Sequence, residues 1–449
     1  DGQHVAGRGD LGILRRLGAN AVRLYGNDPR LDHSAFLDEA AQQGLQVIAG
    51  FSDYPFIQMP GSCMQTDRDC FKQIRTQYAL NLRSGFLSAP KTYHRALRTI
   101  ILMNEPDLKM EAGVIQGIPG PPQHFLKAQL SALDAVLDAE REAGVQGPLP
   151  NITVAFSFAK CKLCSRFQDH PSLGQMWDFR LAVQHPERCG YRPRNDIWGA
   201  YQKRFVNCFN TANSAHEIRY LFLEAYDANF QGVPVFIGEY HSPWFFDQQV
   251  DLEEILELSG NTSSMLAGIC FFEFQVRYDK GGGEMDFGMF GLRFDQKLAD
   301  MHIGGRRYSS WCLKPVPAKS MSRCNDIEAG IAYVTSSYWS VNMSHTSTAE
   351  MCCARCHEHA LCRSWTWQRD AGIDGVPSRC SLWGDVPHQK VRKEGCISGW
   401  PSQQLHLAQA APAEQREDTW VFTAVERAFG GPGLDLQELC PMQHAVAAL

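Results

Sequence analysis

The chain has 449 residues, a formal charge of −6, 44% hydrophobic and 20% charged residues, enough for one large domain and a smaller one. Such mild acidity leaves no footprint for nucleic acid or an anionic membrane, and no run of about 18 apolar residues exists to form a transmembrane segment. Sixteen clustered cysteines, with sequons at Asn151-Ile-Thr, Asn261-Thr-Ser and Asn342-Met-Ser, point to an oxidising route and a secreted or cell-surface protein.

The opening Asp1-Gly-Gln-His is no basic and apolar leader, so the chain is expected to be trimmed or its reading frame incomplete. GDLGILRRL (9–17) has helical spacing, NAVRLYG (20–26) reads as a strand, HSAFLDEAAQQG (33–44) as a helix and LQVIAGF (45–51) as a strand. Short joints between alternating strands and helices imply a parallel sheet. After an amphipathic stretch from Cys70 to Leu87 come the strand RTIILMNE (98–105) and the helix FLKAQLSALDAVLDAEREAG (125–144). NITVAFSF (151–158), KRFVNCFN (203–210), VPVFIGEY (233–240) and MLAGICFFEF (265–274) complete the strands, with the helix HEIRYLFLEAYDANF (216–230) leading into VPVFIGEY. The expected fold is α/β, a (β/α)₈ barrel showing seven of its strands, with the first expected upstream of Asp1. A long insertion, 159–199, falls on the catalytic side. We expect the barrel over 1–314, a linker over 315–323, a small disulfide-rich α+β module over 324–400, and a tail of linker plus short helix over 401–449.

Two of these strands stop at a glutamate, Glu105 and Glu239, and strand ends are where such a barrel keeps its chemistry. Two carboxylates flanking one glycosidic bond can act as neutral acid and anionic nucleophile. Met103, Pro106 and the preceding isoleucines give Glu105 apolar surroundings that raise its pKa, suiting the acid/base role. Glu239 suits the nucleophile, with Tyr240 near enough to orient it, and Asn104 suits a bond to a sugar hydroxyl. Arg23 and Tyr25 are expected to line the cleft. Glu273 either binds sugar or tunes Glu239, or serves as an ion-pair partner. Trp244, Tyr54, Phe56 and Trp177 either stack on sugar faces or pack locally. No metal or organic cofactor is required by this chemistry. Cys161, Cys164, Cys189 and Cys208 have the makings of a tetrahedral zinc site, but disulfides among them fit a secreted protein better. Cys63 and Cys70 flank a short loop and are expected to pair, and Cys270 is read as a buried thiol.

The stretch LGANAVRLYGNDPRLDHSAFLDEAAQQGLQVIAGFS resembles glycoside hydrolase family 72, the β-1,3-glucanosyltransferases, through Arg23, Tyr25 and the turn Asp28-Pro29-x-Leu31-Asp32-His33. The resemblance runs over roughly 10–295. It aligns Asn104-Glu105 with the family's acid/base, Glu239-Tyr240 with its nucleophile segment, Phe272-Glu273-Phe274 with a Tyr-Glu-Tyr, and Asp286-Phe287-Gly288 with an Asn-Tyr-Gly. Met103 and His241 stand where the family has glycine, and Phe272 and Phe274 lack its two phenols. The resemblance implies a retaining transferase acting on β-1,3-glucan or a related polysaccharide. A hydrolase on the same site, or an inactive carbohydrate-binding or adhesion protein, is the alternative.

Farther on, Cys352-x₃-Cys356-x₅-Cys362, an aromatic strand and Cys380 resemble the PAN/apple family. That resemblance implies nested pairs, Cys324 with Cys396, Cys352 with Cys380, and Cys356 with Cys362, leaving Cys353 to pair with Cys312 or Cys440 or to stay free. It also implies a module held by its bridges that tethers the enzyme to a wall or matrix ligand, the alternative being an inert spacer.

Overall fold

The computed structural model describes residues 8–88, 91–110, 124–241, 243, 248–303, 305–318, 327–344, 346, 349–359, 361–368, 379–401 and 420–440. Seven parallel strands form its main sheet: β1 (Ala21–Arg23), β2 (Gln46–Gly50), β3 (Leu97–Asn104), β4 (Asn151–Phe156), β5 (Asn207–Thr211), β6 (Val235–Tyr240) and β7 (Leu266–Phe271). Each pairs with the next in chain order. All seven expected strands are present in a nearly closed (β/α) barrel. The fifth starts later than its sequence suggested, because Lys203 and Arg204 still end a helix, Ile197–Arg204.

Helices α1 (Asp10–Arg16), α2 (Ser34–Gln42), α3 (Phe71–Asn81), α4 (His124–Ala143), α5 (Leu173–Gln184), α6 (Ile197–Arg204), α7 (215–229, containing a π-turn) and α8 (Gln248–Gly260) accompany the sheet. Helix α4 shows why. Phe125, Leu126, Leu130, Leu133 and Val136 recur at helical spacing and are buried, forming one apolar stripe. At its far end Glu140 accepts both guanidinium ends of Arg204, at 2.6 and 2.9 Å. This planar fork compensates two charges removed from water. Among the described residues no helix is long and apolar enough to cross a membrane.

Beyond the barrel strands, β8 (Phe290–Ile303) and β9 (Arg306–Pro315) make an antiparallel hairpin. A second unit follows. Strands β10 (Glu328–Val334), β11 (Ser340–Ser344), β12 (Ser364–Gln368), β13 (Arg379–Trp383) and β14 (Gln389–Gly399) form an antiparallel sheet in the order β10-β14-β12-β13-β11. Helix α9 (Ala349–Glu358) contributes Cys352, Cys353 and Cys356 to a core with Trp365 and Leu382.

The chain then returns. Helix α10 (Val421–Phe429) buries Val421, Phe422 and Val425 in the barrel's own core, and Phe422 stacks on Phe290 at 5.5 Å. Trp420 pairs antiparallel with Pro317, and Val421 N–H donates to Val316 at 3.0 Å. Gly18, at φ +87°, lets the end of α10 approach, since a Cβ there would sit 2.6 Å from the Phe429 carbonyl. The helix read in the tail is therefore docked on the barrel. The cysteine-rich unit is inserted between two adjacent points of it.

Disulfides join Cys63 to Cys70, Cys352 to Cys380 and Cys356 to Cys362, as expected, and also Cys161 to Cys164 and Cys312 to Cys440. Cys353 is disulfide-bonded, and with Cys312 and Cys440 bonded to each other it pairs with neither. The expected Cys324–Cys396 bridge is not made: Cys396 is buried and stands outside the disulfides, whereas Cys353, extra to the expected pattern, takes part in one. Cys189 and Cys208 do not join the disulfides. Cys208 points into the barrel beside Ile48, Ile101 and Ala155. Cys270 is a thiol, but half-buried rather than buried.

Candidate active site

Alternation along parallel strands sends every second side chain into the barrel. On β5 this sets Asn210 above the buried Cys208. Pairing of β5 with β6 skips one residue, so that Phe209 faces Ile237 and Asn210 faces Glu239. Gly238 is the extra residue of this bulge. A Cβ there would lie 2.6 Å from an Arg23 nitrogen and 3.0 Å from Asn210 Oδ1.

Four strand ends then meet. Arg23 Nη2 donates to Asn104 Oδ1 at 2.6 Å and Nη1 to Asn210 Oδ1 at 3.1 Å, with Nη1 3.4 Å from Glu239 Oε1. Asn210 Nδ2 reaches Glu239 Oε1 at 2.8 Å, Asn104 Oδ1 at 2.9 Å and Glu105 Oε1 at 3.2 Å. The two glutamate oxygens are therefore no farther apart than two hydrogen bonds laid end to end. The Arg23 side chain is only 4% exposed, so its charge acts in a medium that screens it weakly.

Glu105 directly follows β3 with its backbone in the left-handed region, φ 52° and ψ 53°, a conformation costly for a residue with a Cβ. The following turn is pinned. Asp107 accepts from the Ser157 amide at 3.1 Å, from its hydroxyl, and from Gln175. Burial raises the Glu105 carboxyl above its ordinary range and the neighbouring Glu239 charge adds to this, while the Asn210 bond pulls the other way. An acid so placed holds its proton to higher pH.

These residues floor an open cleft of about 740 Å³. Tyr25, 41% exposed, lines its wall with Phe272 packed edge-on at 6.1 Å, and the Arg23 guanidinium lies 4.6 Å from the Tyr25 ring. Charges around the cleft are paired: Lys109 with Asp53 at 3.1 Å, Arg277 with Asp279 at 2.7 Å, Lys280 with Glu284 at 2.8 Å.

Of the residues singled out from the sequence, Arg23, Tyr25, Asn104, Glu105 and Glu239 come together here. Tyr240 does not. It is fully buried on the opposite side of β6 and donates its hydroxyl to Asp251 of α8, as period-two alternation requires next to an inward Glu239. Glu273 lines a separate cavity of about 640 Å³ between β1 and β7, with Val22, Ile269, Val425 and Phe429. Its Oε1 has no hydrogen-bond partner among the described residues, and burial pushes its carboxyl up to about 7. Trp244 lies outside the described residues. Sequence reasoning missed Asn210, although it ends an apolar run just as Glu105 and Glu239 do. His241 serves the frame: its Nδ1 lies 2.8 Å from the Phe272 carbonyl and 2.9 Å from that of Phe287, and its ring packs on Phe271 at 4.5 Å. Met103 is buried away from solvent with Gln129 Nε2 at 3.6 Å from its sulfur.

Comparison with known proteins gives a PAN domain match over residues 333–383. No curated protein sequence matches the chain. Among solved structures, similarity extends to a β-glucosidase from Thermotoga maritima in complex with deoxynojirimycin, at 12% identity over 64% of this chain and 81% of that one, TM-score 0.42. A β-glucosidase from Exiguobacterium marinum gives 12% identity, 64% and 82% coverage, and TM-score 0.42. β-Glucuronidase 2 of Bacteroides uniformis, covalently bound to cyclophellitol-6-carboxylate aziridine, gives 14% identity and TM-score 0.38. This chain spans 63% of itself in that last match and 30% of the glucuronidase's length.

Proposed function

We propose that the protein is a retaining enzyme acting on β-1,3-glucan, in the first instance a glucanosyltransferase. The observation that carries this reading is the convergence of Glu105 and Glu239 on one Asn210 amide at the cleft floor. The separation this allows their oxygens is below the about 6.5–9.5 Å of inverting pairs, which must admit a water between the carboxylates. Glu239, held against Arg23, attacks the anomeric carbon. Glu105, kept protonated by burial and by its neighbour's charge, protonates the leaving oxygen. Asn104 is placed to meet the hydroxyl beside the reacting carbon. Glu105 then takes the proton of the incoming sugar hydroxyl as that oxygen displaces Glu239. The open cleft, rather than a closed pocket, suits a polysaccharide on both sides of the cut. The disulfides support a secreted or cell-surface setting, and the PAN module is placed in this reading as a tether to wall or matrix.

The test is product analysis with reduced laminari-oligosaccharides, alongside Glu105→Gln and Glu239→Gln. Products longer than the substrate, absent in both variants, are expected. Shorter products alone would make the protein a glucan hydrolase on the same pair. Binding without turnover would point to an adhesion protein instead.

A further inference from the structure

Asn210 has one amide nitrogen with two hydrogens, and three acceptors compete for them: Glu239 Oε1 at 2.8 Å, Asn104 Oδ1 at 2.9 Å and Glu105 Oε1 at 3.2 Å. Its orientation is fixed. Oδ1 accepts from Arg23 Nη1, and a guanidinium has no acceptor to offer in exchange, so the NH₂ must face the carboxylates. Asn104 Oδ1 already receives Arg23 Nη2 at 2.6 Å, which leaves the two glutamates as the acceptors whose demand can change. The side chain is also buried, with Asn210 only 5% exposed.

We propose that Asn210 is a positioning residue whose amide follows the negative charge from Glu239 to Glu105 and back within one catalytic cycle. This rests on the retaining reading above. In the first half-reaction a Glu239 oxygen bonds to the anomeric carbon and the bond to the leaving sugar breaks. The Glu105 proton goes to that leaving oxygen. Glu239 is now an ester and a poor acceptor; Glu105 has become the anion. In the second half-reaction the incoming hydroxyl oxygen bonds to the anomeric carbon, its proton passes to Glu105, and the ester electron pair returns to Glu239. Negative charge thus alternates between two oxygens that share one donor nitrogen. The donor strengthens whichever bond is charge-assisted at that moment, and no heavy atom needs to travel. Charged groups acting on Glu105 besides Glu239 are Lys109 and Asp107 from its own turn, and the cleft is also lined by Asp53, Arg277, Lys280 and Glu284. None of these spans both carboxylates.

The experiment compares the whole chain with Asn210→Ala and the isosteric Asn210→Asp on 4-nitrophenyl β-laminaribioside and on laminari-oligosaccharides, as kcat, KM and the pH profile of kcat/KM. Both variants are expected to lose about tenfold to a hundredfold in kcat, the worth of a hydrogen bond to a charged group, with little change in KM. Their alkaline limb, which reports loss of the Glu105 proton, is expected to move to higher pH. In Asn210→Ala this follows from removing the bond that pulls the Glu105 carboxyl down. In Asn210→Asp a third carboxylate pushes it further. The isosteric variant keeps the test alive should the alanine variant fail to fold. Wild type active, with the limb unmoved in both folded variants, overturns this proposal alone. Wild type inert on every glucan overturns the retaining reading, and this proposal with it.

Discussion

Arg23 and Asn104 stand at the ends of two strands separated by β2, and their side chains meet at 2.6 Å, guanidinium to amide oxygen. The same guanidinium reaches Asn210 and Glu239, so one rigid fork sets the orientation of three residues at the cleft floor. Lysine keeps the charge and loses the fork. Arg23→Lys is expected to lower kcat about a hundredfold, the scale of a small misplacement at a reacting centre. Steady-state kinetics on laminari-oligosaccharides check this. A variant within about twofold of wild type would show that charge alone suffices at this position.

Gly238 makes that meeting geometrically possible. A methyl group at this position would press on Arg23, on Cys208 Sγ at 2.7 Å and on Asn210, all held in a packed barrel interior. Gly238→Ala is expected to cost about 1–3 kcal/mol of stability, as overpacking does, and to reduce activity further by displacing the Arg23 fork. Urea unfolding together with kinetics separates the two effects. An alanine variant as stable and active as wild type would mean that the bulge relaxes freely.

The seven strands and the two glutamates at their ends were legible because apolar runs of strand length stop abruptly at a polar residue, and burial enforces that pattern. Direction was less legible. Tyr240 was read as an orienting group for Glu239, yet adjacent residues on a strand face opposite ways, and its partner is Asp251. Glu273 sits two residues beyond β7 and turns toward the space between β1 and β7. Asn210 ends an apolar run as the glutamates do, but a short amide at a strand end looks the same whether it caps a turn or joins two carboxylates. The docking of α10 was illegible for another reason. Its apolar face is plain in WVFTAVERAF, but nothing local says that the partner is Phe290 and the region around Gly18, more than a hundred residues upstream.

The Tyr240–Asp251 pair gives a pH prediction. Burial pushes the Asp251 carboxyl up to about 7, even though Tyr240 and the Ala215 amide both donate to it. A folded-state pKa raised above the unfolded value means that the native state binds the proton more tightly. The stability from this group is fully present below the unfolded pKa near 4 and is lost as pH rises toward 7. For one proton the slope is at most about 1.4 kcal/mol per pH unit. Asp251→Asn cannot ionise: its one amide oxygen can still accept from the Ala215 amide, while its NH₂ can donate to the Tyr240 oxygen in place of accepting from it. Its stability is expected to change less than that of wild type between pH 4 and 7 in urea titrations. Parallel curves for the two proteins would rule out Asp251 as the titrating group.

The Cys312–Cys440 bridge ties the segment after α10 to β9 across 128 residues of sequence, enclosing the whole inserted module. Cross-linking over so long a loop removes much freedom from the unfolded chain, and losing such a bond typically costs about 2–5 kcal/mol. The module keeps its own bridges, Cys352–Cys380 and Cys356–Cys362, so the loss should fall on the barrel. In the double variant Cys312→Ser with Cys440→Ser, calorimetry is expected to show a lower barrel transition with the module transition unmoved. Hydrogen exchange should rise in Val421–Phe429, whose buried Phe422 and Val425 then hold α10 in place without covalent help. Equal losses in both transitions would mean that barrel and module unfold as one cooperative unit, and unchanged exchange in α10 would show that its packing against Phe290 is sufficient alone.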